Sequence, residues 1–516
     1  MKSPILGGSY VARSVNAADA RMVNLFPEII PEGGKEPAFL NRAPGLRFLQ
    51  TVGTGPIRAL WAHQTNGSDF YVVSGTEVYK LTSATGTPVK LGDVSGTGPV
   101  SIADNGTQIF FACNGPSYIY NEATNVFQQI TDPDFTGAGT VGYLDGYFVY
   151  NQPDSQLVWV TSILDGLSVD PLDFASAEGS PDGLVAVNIN NREAWLFGSD
   201  SVEVWYDAGL ADFPLTRIQG AFSEVGCAAT YSVAKLDNSL FWLGADARGQ
   251  GIVYRSQGYN AVRVSTHAIE YAIAQYADLS TAVAYTYQQE GHAFYVLSFA
   301  EATWVFDVAT SVWHERAGFT DGQFTRHRAN CQCNFSGATI VGDYENGNIY
   351  ALDLDVYADN GEIQKWLRSW RAIPTGQNDL TRTAQHSLQL DCETGVGLDY
   401  LDPMGPTEIE NLYDLLLLEN GGELLTEDGF GILLNETEWS MMKPRVMLRW
   451  SDDGGHTWSN EHWADMGVIG QYSHRVMWRR LGMTLKLRDR VYEVSGTDPV
   501  KVAIMGAEIH ASGTNG

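Results

Sequence analysis

The residues whose spacing comes closest to known chemistry are Ser451-Asp452-Asp453-Gly454-Gly455-His456-Thr457-Trp458, which fit the Asp-box pattern Ser-x-Asp-x-Gly-x-Thr-Trp. In such a box the Ser and Asp side chains bond turn backbone groups, the Gly takes a positive φ, and the Trp plugs the hairpin into a core. Ser451, Asp453, Gly455 and Trp458 are therefore expected to build a structural turn. Glycosidase chemistry needs two carboxylates flanking a sugar bond, or a Tyr/Glu pair beside an arginine cluster. Among 61 Asp and Glu residues no pair is singled out by spacing. The sequence carries no Gly-x-Ser-x-Gly elbow, no His-Glu-x-x-His and no phosphate-binding loop. The ten histidines do not cluster at ligand spacing, so His314 and His327 read as surface or core residues. Turns such as Asp145-Gly146 and Asn346-Gly347 lack the run of carboxylates that a calcium loop requires. No catalytic residue, no cofactor and no metal site is expected.

Two further features point to contact with another chain. In a chain of net charge −29, Arg475-Val476-Met477-Trp478-Arg479-Arg480, continued by Lys486, Arg488 and Arg490, forms a basic strip. It reads as a docking strip for an acidic neighbour or another copy of the chain, or as a solvated strand face. Residues 399–438 alternate apolar runs around Leu416, Leu425 and Leu433 with the turns Asn420-Gly421-Gly422 and Glu427-Asp428-Gly429. They read as an insertion of short strands, either an exposed apolar contact or a loop packed on its own domain. The candidate interface is thus Arg475, Trp478, Arg479, Arg480, Leu416, Leu425 and Leu433.

The elements that would position these residues are β-strands. Phe70-Tyr71-Val72-Val73-Ser74-Gly75, followed by Val78-Tyr79-Lys80-Leu81, alternates apolar strands around a turn. The pattern returns at 109–120, 146–160, 193–206, 239–255, 292–307 and, more weakly, 338–352, giving seven units. The spacing of about 40–50 residues is that of a four-stranded propeller blade, which must stack on neighbours to cover its apolar faces. The chain is therefore read as all-β, a β-propeller of six to eight blades with a C-terminal β domain. A β-sandwich array would share the strand pattern but gives no reason for the near-copies. The expected organisation is an N-terminal arm over 1–50, the propeller over 51–361, and a C-terminal β domain over 362–516 carrying the 399–438 insertion. One amphipathic helix is expected near 266–277, with Ile269, Ile273 and Tyr276 on one face.

Composition narrows the setting. With 516 residues, 44% hydrophobic and 11% aromatic, the chain has ample material for a core and little of the signature of disorder. The acidic balance repels phosphate backbones and anionic membranes, though it suits a surface past which DNA slides. No apolar run approaches the roughly 18 residues of a membrane span, and the first ten residues lack the core of a signal peptide. Cys113, Cys227, Cys331, Cys333 and Cys392 are expected to be reduced and mostly buried.

Met22-Val23-Asn24-Leu25-Phe26-Pro27, Ala43-Pro44-Gly45-Leu46, Gly92-Asp93-Val94-Ser95-Gly96-Thr97-Gly98-Pro99, Ser180-Pro181-Asp182-Gly183-Leu184, and Arg475-Val476-Met477-Trp478-Arg479-Arg480-Leu481-Gly482 occur in order along the chain. In that order they resemble the tail hub, or packaged-DNA stabilisation, proteins of short-tailed bacteriophages (podovirus type). The resemblance implies a structural virion protein without enzymatic activity. It would form a ring of six copies, a nozzle below the portal and its adaptor, that extends the DNA channel and retains packaged DNA. The ring would carry a tail needle or tip and tailspikes or fibres. DNA would pass through its lumen without sequence-specific binding, and the chain would not insert in a membrane. Such a protein is assembled in the host cytoplasm and resides in the virion tail. Two other readings are a sialidase-like hydrolase and a sugar-binding propeller that recognises a host receptor.

Overall fold

The computed structural model describes residues 1–15, 18–63, 69–177, 179–210, 213–246, 249–373, 382–396, 443–484 and 490–513. The chain divides into two units, one of Phe48–Trp313 with Arg326–Leu352, the other of Met1–Arg47, His314–Thr325 and Asp353–Gly516.

In the first unit each sequence repeat becomes an antiparallel blade, and seven blades follow one another. Strand alternation explains why. In blade two, Ile109 and Phe111 on Gln108–Ala112 face blade one, where they meet Tyr71, Val73 and Val78. Phe110, between them in sequence, points the other way and packs with Phe148, Tyr150 and Trp159 of blade three. Each central strand thus buries both faces against neighbours, as the period of two requires. The arrangement recurs, with Trp195 and Phe197 of blade four against Leu240 and Trp242 of blade five. Fully burying one such aromatic contributes about 1.5–3 kcal/mol.

The series closes on itself. The strand Gly45–Thr51 enters this unit at Phe48 and pairs alongside Asn348–Asp353, so the last blade is completed from the start of the propeller sequence. Val52 N–H donates to the Gly347 carbonyl at 2.7 Å, and Thr51 Oγ1 donates to Asn348 Oδ1 at 2.6 Å. The closure needs glycine at 55, where φ is +76° and a Cβ would lie 2.0 Å from the Asn346 carbonyl carbon. The same seam buries Phe70 and Val72 against Phe335, Ile340 and Ile349.

The helix is His267–Ile273, capped by the Thr266 hydroxyl, which accepts from the Ile269 amide. It is shorter than the 266–277 pattern. Tyr276 N–H bonds the Ile273 carbonyl in a tightened turn, while the Tyr276 ring leaves the helix to pack on Phe299 and its hydroxyl accepts from Trp304 Nε1. Ile269 and Ile273 are buried in the core of blades five and six. No described helix is long and apolar enough to cross a membrane.

The second unit is built mainly on two larger sheets. One runs Val476–Arg479, Thr383–Cys392, Ala503–Gly513, Ala38–Arg42, Leu25–Ile29, with Lys2–Ser3 added beside Ala503–Gly513. The other runs Met22–Val23, Trp366–Arg371, Val491–Gly496, Arg445–Ser451, His462–Asp465. Trp370 Nε1 donates to Ser3 Oγ at 2.7 Å and Trp478 Nε1 to the His462 carbonyl at 2.8 Å, tying one sheet to the other. The first 47 residues, read from sequence as part of an arm, are strands of this unit. Two buried guanidiniums fix them there. Arg42 donates to the carbonyls of Tyr357, Gln364, Asp498 and Val500, and Arg368 to those of Ile5 and Gly8. Burial pushes both pKa values down to about 10. Residues 399–438 lie outside the described residues.

Candidate functional site

Propellers offer their axis as a site, because the inner strand of every blade lines it. Here Ile57–Ala62, Ser101–Asp104, Val141–Leu144, Leu184–Asn190, Ala234–Leu236, Val283–Gln289 and Ala329–Phe335 border a channel cavity of about 320 Å³. Its lining mixes aliphatic side chains such as Leu60, Val100 and Val187 with hydroxyl, amide and aromatic ones, among them Trp61, Thr140, Asn188 and Tyr285. No carboxylate or imidazole belongs to that lining, so no acid/base pair is positioned on the axis. The lining's one guanidinium, Arg58, donates to the carbonyls of Gly98 (2.5 Å), Gly75 (2.9 Å) and Ser95 (3.0 Å). It clasps the connection between blades one and two.

A denser titratable cluster lies at that same junction. His63 stands between Asp104 (3.3 Å) and Glu122 (3.0 Å), Trp61 Nε1 donates to Asp104 at 2.9 Å, and the Tyr71 hydroxyl donates to Glu122. The Asp104 hydrogen bond, with both carboxylate charges, raises the His63 pKa above its ordinary value against the opposing effect of burial. The sequence gives no signal for this group, because its members come from strands and strand ends of two blades and share no spacing. Among the described residues no group of three or more His, Cys, Asp or Glu is arranged to hold a metal. His314 and His327 are buried. All five cysteines are free thiols, four of them buried and Cys331 partly so.

The Asp-box residues form one hydrogen-bonded turn. Ser451 Oγ donates to Asp453 Oδ1 at 2.6 Å and accepts from the Gly455 amide at 2.8 Å. Asp453 also accepts from the amides of His456 (3.0 Å) and Thr457 (2.9 Å) and from the Thr457 hydroxyl (2.6 Å). These bonds, led by those from the Ser451 and Thr457 hydroxyls, hold its carboxyl well below the usual carboxylate range. Gly455 has φ +105°, and a Cβ there would meet Asp19 Oδ2 at 2.4 Å. Trp458 is half-buried under the Arg449 guanidinium, 4.8 Å from its ring centre. Every carboxylate lone pair that the turn uses faces its own backbone or hydroxyls, which is the chemistry of a brace.

The basic strip divides in two. Arg475, Arg479 and Arg480 are exposed and make no ion pair among the described residues. Trp478, expected at an interface, instead faces the core at 5% exposure, because strand alternation turns it opposite to Arg479. Arg490 also leaves the strip, buried in a two-pronged pair with Asp452 at 2.6 and 2.7 Å. The strand Val476–Arg479 ends its sheet, and exposed Trp463, Ile469, Tyr472 and Met483 occur in the flanking segments. Arginine with aromatic and Met side chains is the composition enriched at protein interfaces. Leu416, Leu425, Leu433, Lys486 and Arg488 lie outside the described residues.

Comparison with known proteins gives two family matches. Residues 1–357 match a family model described as Bacteriophage P22 Gp10, beta-propeller, and residues 417–512 one described as Bacteriophage P22 Gp10, beta-sandwich. The second match begins within the stretch read as an insertion, so residues 417–438 have a counterpart in the family. No curated protein matches the chain. Similar solved structures include the N-terminal domain of Nup159 (10% identity, 65% of this chain and 99% of that chain, TM-score 0.38). The computationally designed Ika8 protein (14%, 68% and 100%, TM-score 0.37) and U3-55K (10%, 60% and 99%, TM-score 0.39) are others.

Proposed function

From the premise that this chain belongs to the Bacteriophage P22 Gp10 family, structural proteins of the phage tail, we propose that it forms a ring, a tail hub or nozzle, below the portal and its adaptor. The ring, of six copies, extends the DNA channel, retains packaged DNA until ejection, and carries the needle and the tailspikes or fibres. The observation that carries this reading is the family match over both units. The chemistry agrees with it. The lining of the propeller axis holds no carboxylate pair, and the Asp-box carboxylate is engaged by its own turn, so the proposed role rests on shape and contact. Arg475, Arg479 and Arg480 form the docking strip for an acidic neighbouring subunit, where exposed guanidiniums that make no ion pair among the described residues gain most from a carboxylate. The net charge of −29 per copy keeps DNA from adhering to the lumen wall.

The test is particle assembly without this chain. Capsids should package DNA and then lose it, with retention restored by adding the purified protein; capsids that hold their DNA without it would refute the reading.

A further inference from the structure

Where the turns of blades four, five and six come together, the propeller carries a second cavity, of about 670 Å³. That volume falls within the range of about 300–1,000 Å³ common for small-molecule sites. Its walls combine two kinds of group. The aromatic part is Trp195, Phe306 and Tyr259, with the Tyr259 ring centre 6.2 Å from that of Trp195 and 39% of the residue exposed. The polar part includes Asn190 and Gln257.

Two of these side chains are incompletely bonded. Trp195 and Asn190 are each 3% exposed, yet Trp195 Nε1 and Asn190 Oδ1 find no hydrogen-bond partner among the described residues. A buried donor and a buried acceptor left unsatisfied on one cavity are costly, and native cores rarely keep them without a reason. Both residues lie on the hairpin Leu184–Asn190 and Glu193–Gly198, and strand pairing places them on the same face. The charged groups, by contrast, already have partners. Arg255 donates to Asp237 at 2.7 Å and to Ser239 at 3.1 Å, and Glu193 accepts from the Tyr259 hydroxyl at 2.7 Å. The cavity therefore has no free cation to match a phosphate, and its carboxylate, Glu193, is held by a neutral hydroxyl. It offers an aromatic face, one unsatisfied donor, one unsatisfied acceptor and several carboxamides.

We infer that this cavity is a binding site for a neutral saccharide, one ring lying on Tyr259 and its hydroxyls meeting Trp195 Nε1–H and Asn190 Oδ1, two atoms covered in the free protein that a side-chain shift uncovers on binding. A hydroxyl fits because it both accepts and donates, and the apolar face of a sugar ring suits an exposed tyrosine. The inference stands apart from the tail reading, since a structural tail protein with or without a sugar site fills the same place in the particle.

The experiment uses the full-length protein with lactose, maltose and N,N′-diacetylchitobiose, observed by saturation-transfer NMR and titration calorimetry. At least one disaccharide should bind saturably. Tyr259→Ala, at an exposed position, should weaken binding at least tenfold with an unchanged melting temperature. Trp195→Phe, which removes the ring N–H and keeps the aromatic packing, should weaken it several-fold. Three results would overturn the inference: no saturation transfer to any of the sugars, binding that survives Tyr259→Ala unchanged, or protection of Tyr259 by a protein partner alone.

Discussion

The two units solve the same problem, burying β-strand faces, by opposite routes. In the propeller the apolar faces of a blade are covered by its neighbours, mostly adjacent along the chain, as Phe110 is by Phe148 and Tyr150 about forty residues later. In the sandwich unit the partners come from opposite ends of the sequence. Lys2 and Ser3 pair with Glu508 and Ala507, and Arg368 reaches the carbonyl of Ile5. The charge differs too, since the propeller unit, though the larger, holds 11 of the 32 Lys and Arg residues. Exposed arginines that make no ion pair among the described residues, Arg475, Arg479 and Arg480, lie in the sandwich unit on and beside a strand that ends its sheet. The propeller is thus built as scaffold with local redundancy, while the sandwich unit concentrates long-range clasps and candidate contact residues.

The contrast is open to attack from its largest effect downward. Phe110→Ala opens a cavity between blades two and three and should cost about 3–5 kcal/mol, read by denaturant unfolding of the full chain. Arg368→Met should cost about 1–3 kcal/mol, since it strands the Ile5 and Gly8 carbonyls. Hydrogen exchange should then quicken at residues 2–11 and leave the blades unchanged; exchange that quickens equally in the blades would erase the distinction between the units.

A smaller, pH-dependent effect belongs to the blade one–two junction. The His63 pKa is raised above its unfolded value of about 6.5, so its contribution is fully present below that value and is lost as pH rises through the folded pKa. Its charged neighbours there are Asp104 and Glu122, with Lys80 and Asp69 paired nearby at 2.8 Å. Wild-type stability should fall between pH 6 and pH 9 by more than that of His63→Gln; parallel profiles would remove His63 from the account. Least in stability and greatest in consequence is the charge reversal of Arg475, Arg479 and Arg480 to Glu. It should shift unfolding by no more than about 0.5 kcal/mol, because these side chains are exposed and make no ion pair among the described residues, yet abolish assembly in sedimentation.

Much of this was legible in the residues because propeller packing is local. The alternation in Phe70–Ser74 and Gln108–Ala112 and the recurrence of such strands announce blades, and the Asp-box spacing announces its turn. What stayed hidden was non-local. Nothing in Gly45–Thr51 says that part of it closes the last blade, nor that Ala38–Arg42 pairs with Ala503–Gly513. Trp478 looked like an interface residue because its neighbours are arginines, and only the sheet shows which face it takes. His63, Asp104 and Glu122, like the Trp195–Tyr259 cavity, are assembled by blade stacking from strands that carry no shared motif.

The central claim is that this chain works as an assembled ring of the phage tail. Electron microscopy of the purified protein, alone and mixed with a portal–adaptor complex, tests it most directly. Rings are expected, either free or seated on that complex, in which Arg475, Arg479 and Arg480 meet an acidic surface of the next subunit. A chain that remains a monomer in both samples would contradict it.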